Sequence, residues 1–285
     1  MAVVLVTGSS SGIGLATALH FARAGHDVYA GVRAPSAATE LAAAVDAEKP
    51  RVRIVTLDVD DDASVARAAR AVLDGSGRID VLVNNAGIGG GGPIADVPVD
   101  FAKAMFETNY FGAIRMTQAV LPAMRAQRGG AIVNVSSVWG RVAVAGHGHY
   151  CAAKHALEAA SEALAQEVFA LGIRVAIVEP GVVITPIFKK ARRFTDPASP
   201  YAVHVRRLLL LYQLVKTPSQ PEDAARVIHD AALGDAPKLR HVVGEDARKV
   251  LSGRTRVSDE EYVATGGEMT DADFVDLNRR RYGFD

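Results

Sequence analysis

Six short apolar runs recur along the chain at helix-length intervals, and this alternation restricts the fold more than any other feature. They are Val3–Val6, Asp27–Val32, Arg53–Leu57, Val81–Val83, Ala131–Val135 and Arg174–Val178, separated by alanine-rich stretches such as Leu15–Ala24. A strand with one face in water alternates apolar and polar residues. These runs are apolar nearly throughout, so helices must cover both faces. The pattern predicts an α/β fold with a doubly wound, mostly parallel sheet, and His241–Val243 would add a seventh strand. With 285 residues, 49% of them hydrophobic, one domain spanning residues 1–285 can bury such a core.

The first run, from Ala2 to Val6, leads straight into Thr7-Gly8-Ser9-Ser10-Ser11-Gly12-Ile13-Gly14 and then a helical stretch. It therefore reads as a strand and not as a secretion signal. At such a turn the first N–H groups of the helix and its dipole can hold a pyrophosphate, and glycine permits the close approach. A Gly-x-x-x-Gly-x-Gly spacing alone could be a tight turn. Its position between the first strand and first helix favours nucleotide binding on a Rossmann sheet.

Tyr150-Cys151-Ala152-Ala153-Lys154 opens a second alanine-rich helix, where i,i+4 spacing puts phenol and ammonium on one face. A phenol working near neutrality must become about 4 kcal/mol easier to ionise. One cation about 4 Å away supplies about that much at the effective dielectric of a protein surface, so Lys154 is expected to acidify Tyr150. Ser137 lies just beyond the run Ala131–Val135, where ligands bind in open α/β sheets. Asn109 is a polar residue on a buried helix, explicable as a proton relay or as structural bonding. Singly, each has an ordinary alternative: an exposed pair, a serine turn, a satisfied core amide.

Together the motifs Thr7–Gly14, Asn84-Asn85-Ala86-Gly87, Asn109, Ser137, Tyr150-x-x-x-Lys154 and Pro180-Gly181 with Thr185 resemble the short-chain dehydrogenase/reductase family over residues 2 to about 187. The resemblance implies hydride transfer between a nicotinamide and a carbonyl carbon. Tyr150 would be the general acid/base, Ser137 would orient the substrate oxygen, Lys154 would lower the phenol pKa and bond the nicotinamide ribose, and Asn109 would hold a relay water. Gly8, Ser10, Ser11, Gly12, Ile13 and Gly14 would cradle the cofactor, with Asp58, Val59, Asn85, Ala86 and Gly87 on its adenosine side. Pro180, Gly181, Val183 and Thr185 would meet the carboxamide.

An acidic residue at the end of the second strand would mark NAD; here Val32 stands there, followed by Arg33, whose fork suits a 2′-phosphate. NADP(H) is thus the expected cofactor, with NAD(H) as the alternative and Ser9, Ser10 or Ser11 as further phosphate contacts. His147 and His149 lack a third ligand at metal spacing, and no metal is expected.

Residues 186–221, broken by prolines, read as a substrate lid, and Gly89–Gly92 as a flexible loop. Val138, Trp139, Val142, Val144, Phe188, Phe194, Leu208 and Leu211 would line an apolar pocket for a ketone or secondary alcohol, as in carbonyl reductases and hydroxysteroid or retinol dehydrogenases. The tail, 253–285, carries capping signals Ser258-x-x-Glu261 and Thr270-x-x-Asp273 for two helices, which could pack on a neighbouring subunit. Thirty-two basic residues balance thirty-two acidic ones, which disfavours nucleic acid and anionic membranes, and no run reaches membrane-spanning length. The single cysteine, Cys151, forms no intrachain disulfide and reads as buried and inert; a cytosolic setting follows as the expectation. The resemblance further implies a homodimer or homotetramer through two long helices, about 101–127 and 150–171. A silent NADP(H) sensor, or an epimerase or dehydratase retaining its cofactor, is the rival reading.

Overall fold

In the computed structural model, which describes residues 1–48, 51–235 and 238–285, seven parallel strands form the central sheet. They are β1 (Val3–Thr7), β2 (Asp27–Val32), β3 (Val52–Thr56), β4 (Val81–Asn84), β6 (Gly130–Val135), β7 (Ile173–Pro180) and β9 (Arg240–Val243), in the order β3-β2-β1-β4-β6-β7-β9. Two further short strands, β5 (Gly90–Gly91) and β8 (Arg192–Arg193), pair with each other outside this sheet.

The apolar runs are continuous because alternate residues enter different cores. Val4 and Val6 of β1 face one core, completed by Phe21 of α1 (Gly12–Arg23) and Ile228 of α9 (Pro221–Leu233). Val3 and Leu5 face the other, with Val72 of α3 (Asp62–Ser76) and Met116 and Val120 of α5 (Gly112–Gln127). Each such fully buried Val or Leu contributes about 1.5–3 kcal/mol. The lone helix on the outer edge, α2 (Thr39–Glu48), buries little beyond Leu41.

Two helices carry the wall of the site. α4 (Val99–Phe106) continues through a π-helical turn at Glu107–Phe111 into α5, and α6 (Gly148–Val168) follows the loop after β6. Beyond β7 come α7 (Ile187–Lys190), α8 (Ala202–Gln213) and, after α9 and β9, α10 (Glu245–Arg254), α11 (Asp259–Val263) and α12 (Asp271–Tyr282). Ser258 and Thr270 cap α11 and α12 by accepting the Glu261 and Asp273 N–H groups at 3.1 Å each. The tail docks on its own chain. Arg207 of α8 donates to the Gly267 and Met269 carbonyls at 3.2 and 2.6 Å, and Tyr262 donates to Ala143 O at 2.6 Å. Val138, Val142, Cys151, Leu211, Leu214, Val250 and Tyr282 form a third apolar core between α8, the tail and the sheet.

Candidate active site

A cleft of about 440 Å³ opens over the carboxyl ends of the strands, where the strand order reverses between β1 and β4. Thr7 stitches these two strand ends together. Its hydroxyl accepts the Asn85 and Ala86 N–H groups at 3.0 and 2.9 Å, while the Asn85 amide donates to the Thr7 and Gly8 carbonyls at 2.9 and 3.2 Å. The loops are thereby in contact: a Cβ at Gly8, where φ is +68°, would stand 2.8 Å from Ala86 Cα.

Gly8, Ser10, Ser11, Gly12 and Ile13 line the cleft. Gly14 does not; a Cβ there would lie 2.3 Å from the Gly8 carbonyl oxygen, so Gly14 serves to seat α1 against the turn. Ser9 is also withdrawn, buried with its hydroxyl donating to Val6 O at 2.9 Å, which removes it as a phosphate contact. Ser11, at the N-cap of α1, forms no side-chain cap, so the first-turn N–H groups stay open to a ligand. A glycine cradle with uncapped donors fits a dinucleotide pyrophosphate.

Arg33 lies exposed on the rim immediately after buried Val32, and Asp58, Val59, Asn85, Ala86 and Gly87 line the same end. At the other end Pro180 closes β7 and Gly181, Val183 and Thr185 follow it, with Thr185 Cβ 3.2 Å from where a Cβ on Gly12 would stand.

Ser137, Tyr150 and Lys154 meet on one wall of the cleft. The Ser137 hydroxyl accepts the Trp139 N–H at 3.2 Å, which starts the 3-10 turn Val138–Gly140, and lies 3.5 Å from the Pro180 carbonyl. Lys154 Nζ donates to Val135 O at 2.8 Å and sits 5.9 Å from the centre of the Tyr150 ring. Asn109, in the π-helical turn, spends its amide on Ile88: Oδ1 accepts the Ile88 N–H at 2.7 Å and Nδ2 donates to Ile88 O at 3.0 Å. Of the two explanations for Asn109, structural bonding describes its side chain.

In this geometry burial outweighs the expected acidification of the phenol by Lys154. Burial dominates and pushes the Tyr150 phenol up to about 12, with the Ser137 hydroxyl pulling it partly back. Burial likewise lowers Lys154 to about 8, opposed by the Glu158 carboxylate one helical turn on. The constellation thus holds a protonated phenol at neutral pH, the form that can give a proton to a substrate oxygen.

The family model for short-chain dehydrogenases matches residues 2–196. The oxidoreductase YusZ of Bacillus subtilis is 36% identical over 89% of this chain and 92% of its own. A 3-ketodihydrosphingosine reductase of Bacteroides thetaiotaomicron is 40% identical over 63% of each chain, so the match spans less than two thirds of that relative. The crystal structure of a short-chain dehydrogenase from Streptomyces avermitilis superposes with a TM-score of 0.80 at 38% identity, covering 94% of this chain and 99% of that one. The chain belongs to the short-chain dehydrogenase family. This dehydrogenase is accordingly an oxidoreductase of CH–OH and C=O groups.

Several of its site residues escaped sequence reasoning. Asp246, on α10, accepts the Val182 N–H at 2.7 Å, and a Cβ on Gly181 would fall 2.2 Å from its Oδ2. An acid 65 residues away thus explains why position 181 is glycine. Behind Lys154, Glu158 and Glu179 are both buried, bridged by Arg240 Nε at 3.2 and 3.3 Å, with Arg141 on Glu179 at 3.1 Å. Burial raises the Glu158 carboxyl above its usual range. His147 stacks 4.5 Å from the Tyr150 ring, and burial lowers it to about 4, which keeps it neutral.

The pocket wall also needs correction. Trp139, Phe188 and Leu208 line the cleft, but Val138, Val142, Val144 and Leu211 belong to the third core, and Phe194 packs on Phe101 at 4.8 Å. Val205, Leu208, Leu209 and Tyr212, one helical face of α8, form the wall instead. That i, i+3, i+4, i+7 spacing was readable in the sequence. Cys151 is buried with its thiol raised to about 11.

Proposed function

We propose that this dehydrogenase is an NADP(H)-preferring reductase of apolar ketones, able to run in reverse on secondary alcohols, with Tyr150 as its acid. The observation that carries the reading is the half-buried Tyr150 phenol beside Ser137, at the junction of a glycine-lined cleft and an apolar pocket walled by Trp139, Phe188, Leu208 and Leu209. When bound, a reduced nicotinamide supplies the hydride. The Ser137 hydroxyl holds the carbonyl oxygen, the phenol gives that oxygen its proton, and the adjacent Lys154 ammonium stabilises the phenolate left behind. Lys154 stays in place because Val135 O accepts from it. The aromatic and aliphatic wall excludes water from the exchange.

Arg33 supports the 2′-phosphate preference, since it reaches the adenosine end and has no carboxylate partner within 4.0 Å among the described residues. Paired NADH and NADPH assays on apolar ketones test this. Arg33→Ala should cut the NADPH preference by about tenfold or more, the loss of one charge-assisted contact. Unchanged selectivity would show that Arg33 does not read the phosphate.

Association of two or four copies through α4, α5 and α6 belongs to the same reading. It is supported by the exposed Val99, Phe111 and Phe169 on or beside those helices, and light scattering would test it. Among the described residues no helix is long and apolar enough to cross a membrane.

A further inference from the structure

The lid crosses the mouth of the cleft on a backbone pairing. β5 and β8 run parallel, Gly90 beside Arg192 and Gly91 beside Arg193, and the Phe194 N–H donates to Gly91 O at 3.0 Å. The four-glycine segment is therefore no free loop. A Cβ at Gly90 would stand 2.5 Å from the Arg192 carbonyl oxygen, so only glycine admits the lid this closely. Along an extended segment successive side chains point to opposite sides. Arg192 turns outward, its guanidinium 5.8 and 5.0 Å from the Phe101 and Phe194 ring centres. Arg193, exposed at the mouth, lines the cleft on the opposite side, near enough to Tyr212 for the two to interact electrostatically, and Tyr212 in turn neighbours Tyr150.

Charge is divided along the cleft. Its two acids, Asp58 and Asp60, lie at the adenosine end, whereas the substrate end is lined by Lys154, Lys190 and Arg193 with no carboxylate. Among the described residues neither Lys190 nor Arg193 has a carboxylate oxygen within 4.0 Å. A guanidinium set at the cleft mouth by backbone pairing, with no carboxylate within 4.0 Å among the described residues and beside an apolar wall, suits an amphiphile with an anionic head. We propose that the carbonyl compound taken by this site bears an anionic group, carboxylate or phosphate, on an apolar chain, with Arg193 as the head-group ligand. The proposal rests on the reading of this cleft as a carbonyl site.

Trp139, the chain's single tryptophan, lines the cleft, so its emission reports occupancy without turnover. Octanoate, octyl phosphate and neutral methyl octanoate would be titrated at low salt in the presence of NADPH. At least one anion should bind about tenfold tighter than the ester, and the two anions distinguish carboxylate from phosphate recognition. The margin should shrink with added salt. It should vanish in Arg193→Ala and Arg193→Gln, persist in the outward-facing Arg192→Ala, and leave the NADPH affinity unchanged. Equal binding of all three ligands overturns the proposal, as does a margin that survives both Arg193 variants. Weakened NADPH binding in those variants also overturns it, by making Arg193 a cofactor ligand. If the wild type reduces no ketone with either cofactor, the carbonyl reading fails while the binding margin still stands or falls by itself.

Discussion

The two halves of the cleft are built by different means. On the cofactor side the shape is made by backbone: Gly8 against Ala86, Gly14 against the Gly8 carbonyl, and strand ends joined through Thr7 and Asn85. On the substrate side it is made by side chains: one face of α8, Phe188 and Trp139, held by a tail that ties down α8 through Arg207. Backbone cradles recognise what is common to a cofactor, phosphates and a ribose, and tolerate little change. Side-chain walls can be rebuilt residue by residue, which is how one fold serves many substrates.

Tyr150 stands where the halves meet, and its removal should have the largest effect. Tyr150→Phe is expected to lower kcat by about 10²–10⁴-fold, the usual range for a general acid, with NADPH affinity by Trp139 quenching unchanged. A variant that keeps wild-type kcat would end the acid assignment.

Paired glycine substitutions sharpen the contrast. Gly8→Ala forces a Cβ to 2.8 Å from Ala86 Cα at φ +68°. It should cost about 1–3 kcal/mol of stability in thermal unfolding and weaken NADPH binding. Gly90→Ala meets the Arg192 carbonyl oxygen in the lid pairing and should raise KM for the ketone while sparing the cofactor. If both variants weaken NADPH equally, the division of labour is wrong.

The smallest effect is a pH shift. Lys154, lowered to about 8, loses its charge above that pH, so ketone reduction should fall along an alkaline limb near 8. Glu158 opposes that lowering, and Glu158→Gln should move the limb to lower pH; an unmoved limb would exclude electrostatic support from Glu158. The stability linkage has a defined sign. Between about 8 and 10.5 the unfolded chain binds more protons at Lys154 than the folded one, so this residue makes stability rise with pH across that window. Tyr150 acts oppositely between 10 and about 12, where the folded state holds the proton more tightly.

How far the sequence could be read depended on the range of the interactions. The five inner strands were legible because burial on two faces leaves an uninterrupted apolar run, while the partly buried edge strands β3 and β9 showed only as short β-branched runs. The Tyr150–Lys154 pair was legible because i,i+4 spacing on a helix is local geometry. Gly14 was expected to line the cleft and does not, and Ser9 could not be told from Ser10 and Ser11, because which way a turn residue faces depends on the strand behind it. The pocket wall was misassigned through Leu211, Val142 and Phe194, since an apolar residue beside the cleft can as well join the core beneath it.

By itself the sequence determined the fold class, the family and the chemical kinds of residue at the centre, all of them carried by local periodicity and ordered motifs. Only the tertiary structure decided the desolvation of Tyr150 and Lys154, the carboxylates behind Lys154, the grip of Asp246 on the turn at Gly181 and the place of Arg193 on the cleft wall. Each of these depends on desolvation or on contacts between segments remote in the chain, and neither is written in the spacing of neighbouring residues.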